Sequence, residues 1–208
     1  MIAVGVKATT LTPFAYHSLM VQSGTATIPQ LISDAAIAFA LASSLGMAKA
    51  SVALPPKDYR RDWRAVPWRT SVFETENPRL LPSLTRRRNL DAEAGLQKKV
   101  RDVARKGNLK DFFSTQEVPP GQVFRGAVFG ADPFKLSGES QIVVRVGLHR
   151  GGMVRLEKET VENVCLNATT AALFEQELPV SRYLLHTLQL TPPMPLDLAV
   201  DAVLRWKE

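Results

Sequence analysis

Arginines interleaved with aromatic rings are the first residues in this chain whose types and spacing suit a chemistry: grip on a polyanion. Between residues 59 and 73, Arg60, Arg61, Arg64 and Arg69 alternate with Tyr59, Trp63, Trp68 and Phe73. A guanidinium holds phosphate through two parallel N–H donors, and an aromatic face stacks on an unpaired base. Arg86-Arg87-Arg88 follows as an unbroken triplet with only Asp91 and Glu93 close by in sequence. Lys98, Arg101 and Arg105 recur at helical spacing. Arg150, in the run His149-Arg150-Gly151-Gly152, and the pair Tyr16-His17 complete the candidate RNA-binding set. A competing reading makes Trp63 and Trp68 anchors of the core and pairs the neighbouring arginines with Asp58 and Asp62.

Other chemistries find less footing. The glycines at 121, 126 and 130 do not make a GxGxxG loop, and no GxxxxGK[ST] run exists, so a nucleotide-hydrolysing site is not expected. The three histidines, His17, His149 and His186, are not spaced as a metal-ligand pair. Cys165 is the single cysteine, which excludes an intrachain disulfide and a cysteine-based zinc site within one chain. The expectation is therefore no catalytic residue, no metal and no cofactor. One enzymatic alternative stays open. His17 as general base beside Tyr16, with a lysine stabilising a phosphorane, would make a metal-free ribonuclease.

The elements that must position these residues follow from periodicity. Ile2, Val4 and Val6 alternate as a strand, which ends at Thr12-Pro13, and a loop is expected from Phe14 to about Thr27. Gln30 to Leu45 reads as a helix, with Pro29 in its first turn and Gly46 at its C-terminal cap. Ala35 to Ala42 is apolar on every side, so this helix must be buried on every side. Residues 48–54 are a candidate short strand, and residues 92–106 a second helix ended by Gly107. Strands are expected at 123–129, 141–148 and 153–156, a short helix at 169–176, and a closing strand pair from 184–190 and 198–206. The order predicts an α+β fold with an antiparallel sheet: a core of residues 1–56 and 111–208, interrupted by a basic, partly helical insertion at 57–110.

Charge singles out that insertion. The chain of 208 residues carries a net charge of +6, yet residues 57–110 hold 15 basic and 7 acidic residues, a net of +8. All of the positive excess therefore lies in one segment, as suits a nucleic-acid partner. With 45% hydrophobic residues, wholesale disorder is excluded. The longest apolar run has only the eight residues from Ala35 to Ala42, short of the roughly 20 a membrane helix needs. No basic region precedes an apolar stretch at the N-terminus, so no signal peptide and no membrane partner are expected, and the location expected is cytoplasmic.

Ile28-Pro29 leads into Leu31-Ile32-Ser33-Asp34-Ala35-Ala36-Ile37-Ala38-Phe39-Ala40-Leu41, with Gly46 behind. With the N-terminal strand before it, this run resembles the first strand and helix of the fifth family of CRISPR-associated proteins, of the RAMP superfamily. It is most similar to the small versions in type IV and type I-D effector complexes. The stretch from Leu109-Lys110-Asp111-Phe112-Phe113 through Val118-Pro119-Pro120-Gly121 to Val143-Val144-Arg145-Val146-Gly147 is similar in style. The resemblance implies a modified RNA-recognition (ferredoxin-like) core with an inserted thumb-like region. It further implies binding of the five-prime handle of the CRISPR RNA and capping of a backbone of repeated RAMP subunits. A large subunit of the effector complex would be a further partner, and target DNA an indirect one. One group of relatives cleaves precursor RNA, but no full catalytic set is matched here. The function expected is thus a non-catalytic RNA-binding subunit. The alternatives are a metal-independent endoribonuclease that matures the guide, or an RNA-binding assembly protein unconnected with CRISPR.

Overall fold

The computed structural model describes residues 2–16, 19–21, 24–47, 58–89, 110–147 and 151–206, with backbone alone at 19–21, 24–26, 86–89 and 110–113. Elements are numbered in chain order. The frame is an antiparallel sheet whose order begins β10 (Gln141–Val146), β11 (Gly152–Lys158), β1 (Ala3–Thr10), β9 (Val123–Gly130). A broken edge of β5 (Trp68–Thr70) and β6 (Phe73–Glu74) follows, and β4 (Leu31–Ile32) is outermost. The fold is α+β, as the alternation predicts. In β10, Ile142, Val144 and Val146 are buried while Gln141, Val143 and Arg145 are exposed, the period of two that puts one face of a strand on a core. β1 is central: Val6 lies opposite Gly126 of β9 on one side and Lys158 of β11 on the other.

Helix α1 (Asp34–Ser44) starts later than its periodicity suggests, because Leu31 and Ile32 are spent on β4. Ser33 caps it, its hydroxyl accepting from the Ala36 N–H at 3.2 Å, and Gly46 closes it at φ +71°. The helix is apolar all round because the sheet curls about it. It packs against β10 and β5, which stand on opposite sides of the sheet. Trp68 Nε1 donates to the Ala38 carbonyl at 3.1 Å, and Thr70 Oγ1 donates to the Asp34 carbonyl at 2.8 Å, which fixes the helix to β5. Gly126 is a close approach and not the bulge its position suggests: a Cβ there would meet Phe73 Cδ2 at 2.6 Å.

Two other expectations are corrected. Residues 198–206 are not a closing strand: most of them belong to helix α5 (Leu196–Leu204), which buries Ala199 and Val203 one turn apart, and Trp206 is buried just beyond its end. Strands β13 (Arg182–Leu185) and β14 (Leu188–Leu190) instead pair with each other as a hairpin. The insertion also does not begin at residue 57. Helix α2 (Tyr59–Arg64), β5 and β6 belong to the core through Trp63, Trp68 and Phe73, each no more than 1% exposed.

A second sheet of four strands is built from two distant segments: β2 (Leu19–Val21), β3 (Gly24–Ala26), β8 (Lys110–Thr115) and β7 (Leu84–Asn89), in that order. The expected loop at 14–27 therefore contains a strand pair. Thr27 ties this sheet to the core, its hydroxyl accepting from the Tyr16 N–H at 3.0 Å and donating to the Gln116 carbonyl at 2.7 Å. The predicted strand at 48–54 and helix at 92–106 lie outside the described residues.

Candidate nucleic-acid interface

The candidate residues of α2 divide into core and surface. Asp58 caps the helix, accepting from the Arg61 N–H at 3.0 Å. Trp63 points inward, 1% exposed and packed on Phe39 at 5.3 Å between ring centroids, while Tyr59 is 54% exposed. Trp68 is equally buried. Neither tryptophan presents a face to a base. Both are core anchors, and their assignment as stacking platforms is withdrawn.

Arg69 is also withdrawn. Its Nη1 donates to the carbonyls of Trp63, Val66 and Trp68 at 2.9, 3.2 and 2.9 Å, and its guanidinium lies 4.7 Å from the Phe174 ring centroid. Burial, and then the charge of Arg64, pull its pKa down. This arginine ties the end of α2, at the Trp63 carbonyl, to the turn behind it and to the start of β5. Arg60 pairs with Glu175 at 2.9 Å and Arg61 with Asp62 at 2.8 Å. Exposed pairs of this kind contribute about 0–1 kcal/mol, so a phosphate can replace the carboxylate at little cost. Arg64 is exposed.

Arg86, Arg87 and Arg88 are consecutive in β7, opposite Phe113, Phe112 and Asp111 of β8. β7 is one of the two outer strands of the four-stranded sheet, β2 being the other. His17, Lys98, Arg101 and Arg150 lie outside the described residues. Tyr16 serves a different place from the one expected. Its side chain hydrogen-bonds Ser33, and burial raises its pKa.

That place is a cavity of about 320 Å³ between the start of α1, α2, helix α4 (Ala168–Ala172) and the β13–β14 hairpin. Asp34, fully buried, lies at its floor, and desolvation raises its pKa. Asn167 Nδ2 donates to Asp34 Oδ1 at 3.1 Å and Thr170 Oγ1 to Oδ2 at 2.5 Å. Asn167 also caps α4 and donates to the Thr187 carbonyl at 3.1 Å, so one side chain joins α1, α4 and the hairpin. The candidate set drawn from the sequence omits Asp34. Its signal was a lone carboxylate directly before eight apolar residues, a position where burial forces partners on it.

Elsewhere, burial and then Glu74 push the Cys165 thiol up to about 12, far from a reactive thiolate. Among the described residues no group of three or more His, Cys, Asp or Glu could hold a metal ion. No helix among them is long and apolar enough to cross a membrane. No protein-family model matches the chain, and no curated protein sequence is significantly similar to it.

Proposed function

We propose that this protein is a non-catalytic, RNA-binding subunit of a ribonucleoprotein effector assembly. Its seven-stranded sheet and α1 are read as a modified RNA-recognition (ferredoxin-like) core. The four-stranded sheet, with the basic segment between β7 and β8, is read as the thumb-like region. The observation that carries the proposal is the placing of Arg86-Arg87-Arg88 on one outer strand of a sheet distinct from the core. Three consecutive arginines give such a strand a concentrated positive charge that suits a phosphate backbone. The exposed Arg64 and the exchangeable pairs of Arg60 and Arg61 add positive charge on α2. With the resemblance described above, the RNA is the five-prime handle of a CRISPR RNA, the neighbours are repeated RAMP subunits and a large subunit, and the location is the cytoplasm.

The test is the triple variant Arg86→Ala, Arg87→Ala, Arg88→Ala, assayed for melting and for single-stranded RNA binding on one preparation. Melting should stay unchanged and RNA affinity should fall. The slope of log affinity against log salt should become shallower by roughly 0.7 for each phosphate that the variant no longer neutralises. An unchanged affinity together with a large fall in melting temperature would falsify the reading.

A further inference from the structure

The cavity above Asp34 is not used by the proposed RNA interface, and its chemistry is of the opposite sign. Among the described residues, Asp34 is the one carboxylate that lines it. The side-chain donors to this carboxylate, Asn167 Nδ2 and Thr170 Oγ1, are neutral. Among the described residues no lysine, arginine or histidine acts on it. The N–H groups of Ala35 and of Asp34 itself, at the start of α1, complete its hydrogen bonding, so among the described residues every partner of this buried carboxylate is uncharged. Two tyrosine rings stand around it: Tyr16 and Tyr59 line the same space as Asp34. Tyr59, half exposed, stands at the mouth. Leu173, Leu185 and Leu188 form the aliphatic part of the remaining wall, beside Trp63 and the polar Ser33, Thr169 and Thr187.

We propose that this cavity binds an alkyl cation, an ammonium or guanidinium on a short aliphatic stem, with the charge held between the two tyrosines above Asp34 and the stem against the leucines. Each part of the ligand has its counterpart in the wall. A buried carboxylate gains from a nearby cation, tyrosine faces attract one, and the leucines take methylenes. Phosphate is repelled by the same carboxylate, and a neutral base leaves its charge uncompensated. Two sources present this chemistry: a lysine or arginine side chain of a neighbouring protein, or a free polyamine. The inference stands independently of the RNA reading.

The experiment titrates the full chain, by NMR, with butylammonium, butylguanidinium and the neutral isostere butylurea. Both cations should bind saturably in the millimolar range, and butylurea should not bind. Tyr59→Ala, at a half-exposed position that leaves the fold intact, should weaken the cations roughly three- to tenfold. Asp34→Asn should abolish binding, and if that variant does not fold, Tyr59→Ala and butylurea carry the test. Spermidine binding more tightly than a peptide with a single arginine assigns the site to a small molecule, and the reverse order assigns it to a partner protein. Equal binding of butylurea and butylguanidinium, binding of a nucleoside in place of the cations, or no saturable binding of either cation overturns the proposal.

Discussion

Trp63 shows how one residue type can serve two roles that a sequence leaves equal. Beside arginines it reads as a stacking platform, and in the fold it is packed on Phe39 at the base of α2. Trp63→Ala should therefore cost about 3–5 kcal/mol of stability, as large core truncations do. The check is a denaturant melt. Native stability with reduced RNA affinity is the result that would return this residue to the interface. Asp132 gives a second prediction. It caps helix α3 (Pro133–Ser137), accepting from the Phe134 N–H at 3.0 Å, and it pairs with Lys158 at 2.7 Å. Burial opposes its ionisation, but the Lys158 bond and the two helical N–H groups prevail and lower its pKa. Its contribution is thus present above the ordinary carboxylate range, about pH 4, and is lost as pH falls through the lower folded value. Asp132→Ala should destabilise by about 1–2 kcal/mol near neutrality. The gap to the parent protein should narrow in acid, which paired melts at neutral and acid pH will show.

At the scale of elements, periodicity located what is regular and missed what is short. Strands β1, β9, β10 and β11 and helix α1 are all legible, because alternation or an all-apolar run persists for six residues or more. β4, β5 and β6 have two or three residues each, too few for any period to show, and are held by partners distant in sequence. Ser71 illustrates this. Its hydroxyl accepts from the Ala127 N–H at 2.8 Å, bridging the break between β5 and β6, and nothing local announces it. Residues 198–206 were misassigned because Leu198, Val200 and Ala202 alternate just as a strand does, and packing on the 3.6-residue period decided the outcome. Of the candidate site, the arginine triplet was visible as charge, whereas the cavity arises from four elements and one asparagine. Thr27 is the joint between the two sheets. Thr27→Val removes both of its hydrogen bonds and should cost about 1–3 kcal/mol. Amide exchange should speed up in β2, β3 and β8 while the centre of β1 stays protected, and uniform acceleration would show that the two sheets open as one.

In the molecule as a whole, charge and packing overlap at one place. The positive excess lies between residues 57 and 110, and three of the largest fully buried side chains, Trp63, Trp68 and Phe73, lie in the first part of that same segment. On the proposed RNA-binding reading, the polyanion is held by an added surface rather than by a cleft in the core, and no cleavage is expected. Incubated with repeat RNA in the absence of metal, the protein should leave the RNA uncleaved, and His17→Ala should leave guide maturation intact. Cleavage by the parent protein that His17→Ala removes, with binding preserved, would move the assignment to a metal-independent ribonuclease.

The central strand has a consequence for how the chain is made. β1 spans residues 3–10, yet its two partners span residues 123–130 and 152–158. Strand pairing across such separations is slow, since the closure entropy of the loop must be met before any contact forms. The all-apolar helix α1 has β5 within thirty residues of its end, but it lacks β10 until residue 146 is made. The nascent chain thus carries this apolar segment about a hundred residues ahead of part of its cover. On this ground, truncated or slowly translated forms should accumulate with chaperones, and full-length protein should be recovered best where the ribosome completes residue 158 quickly.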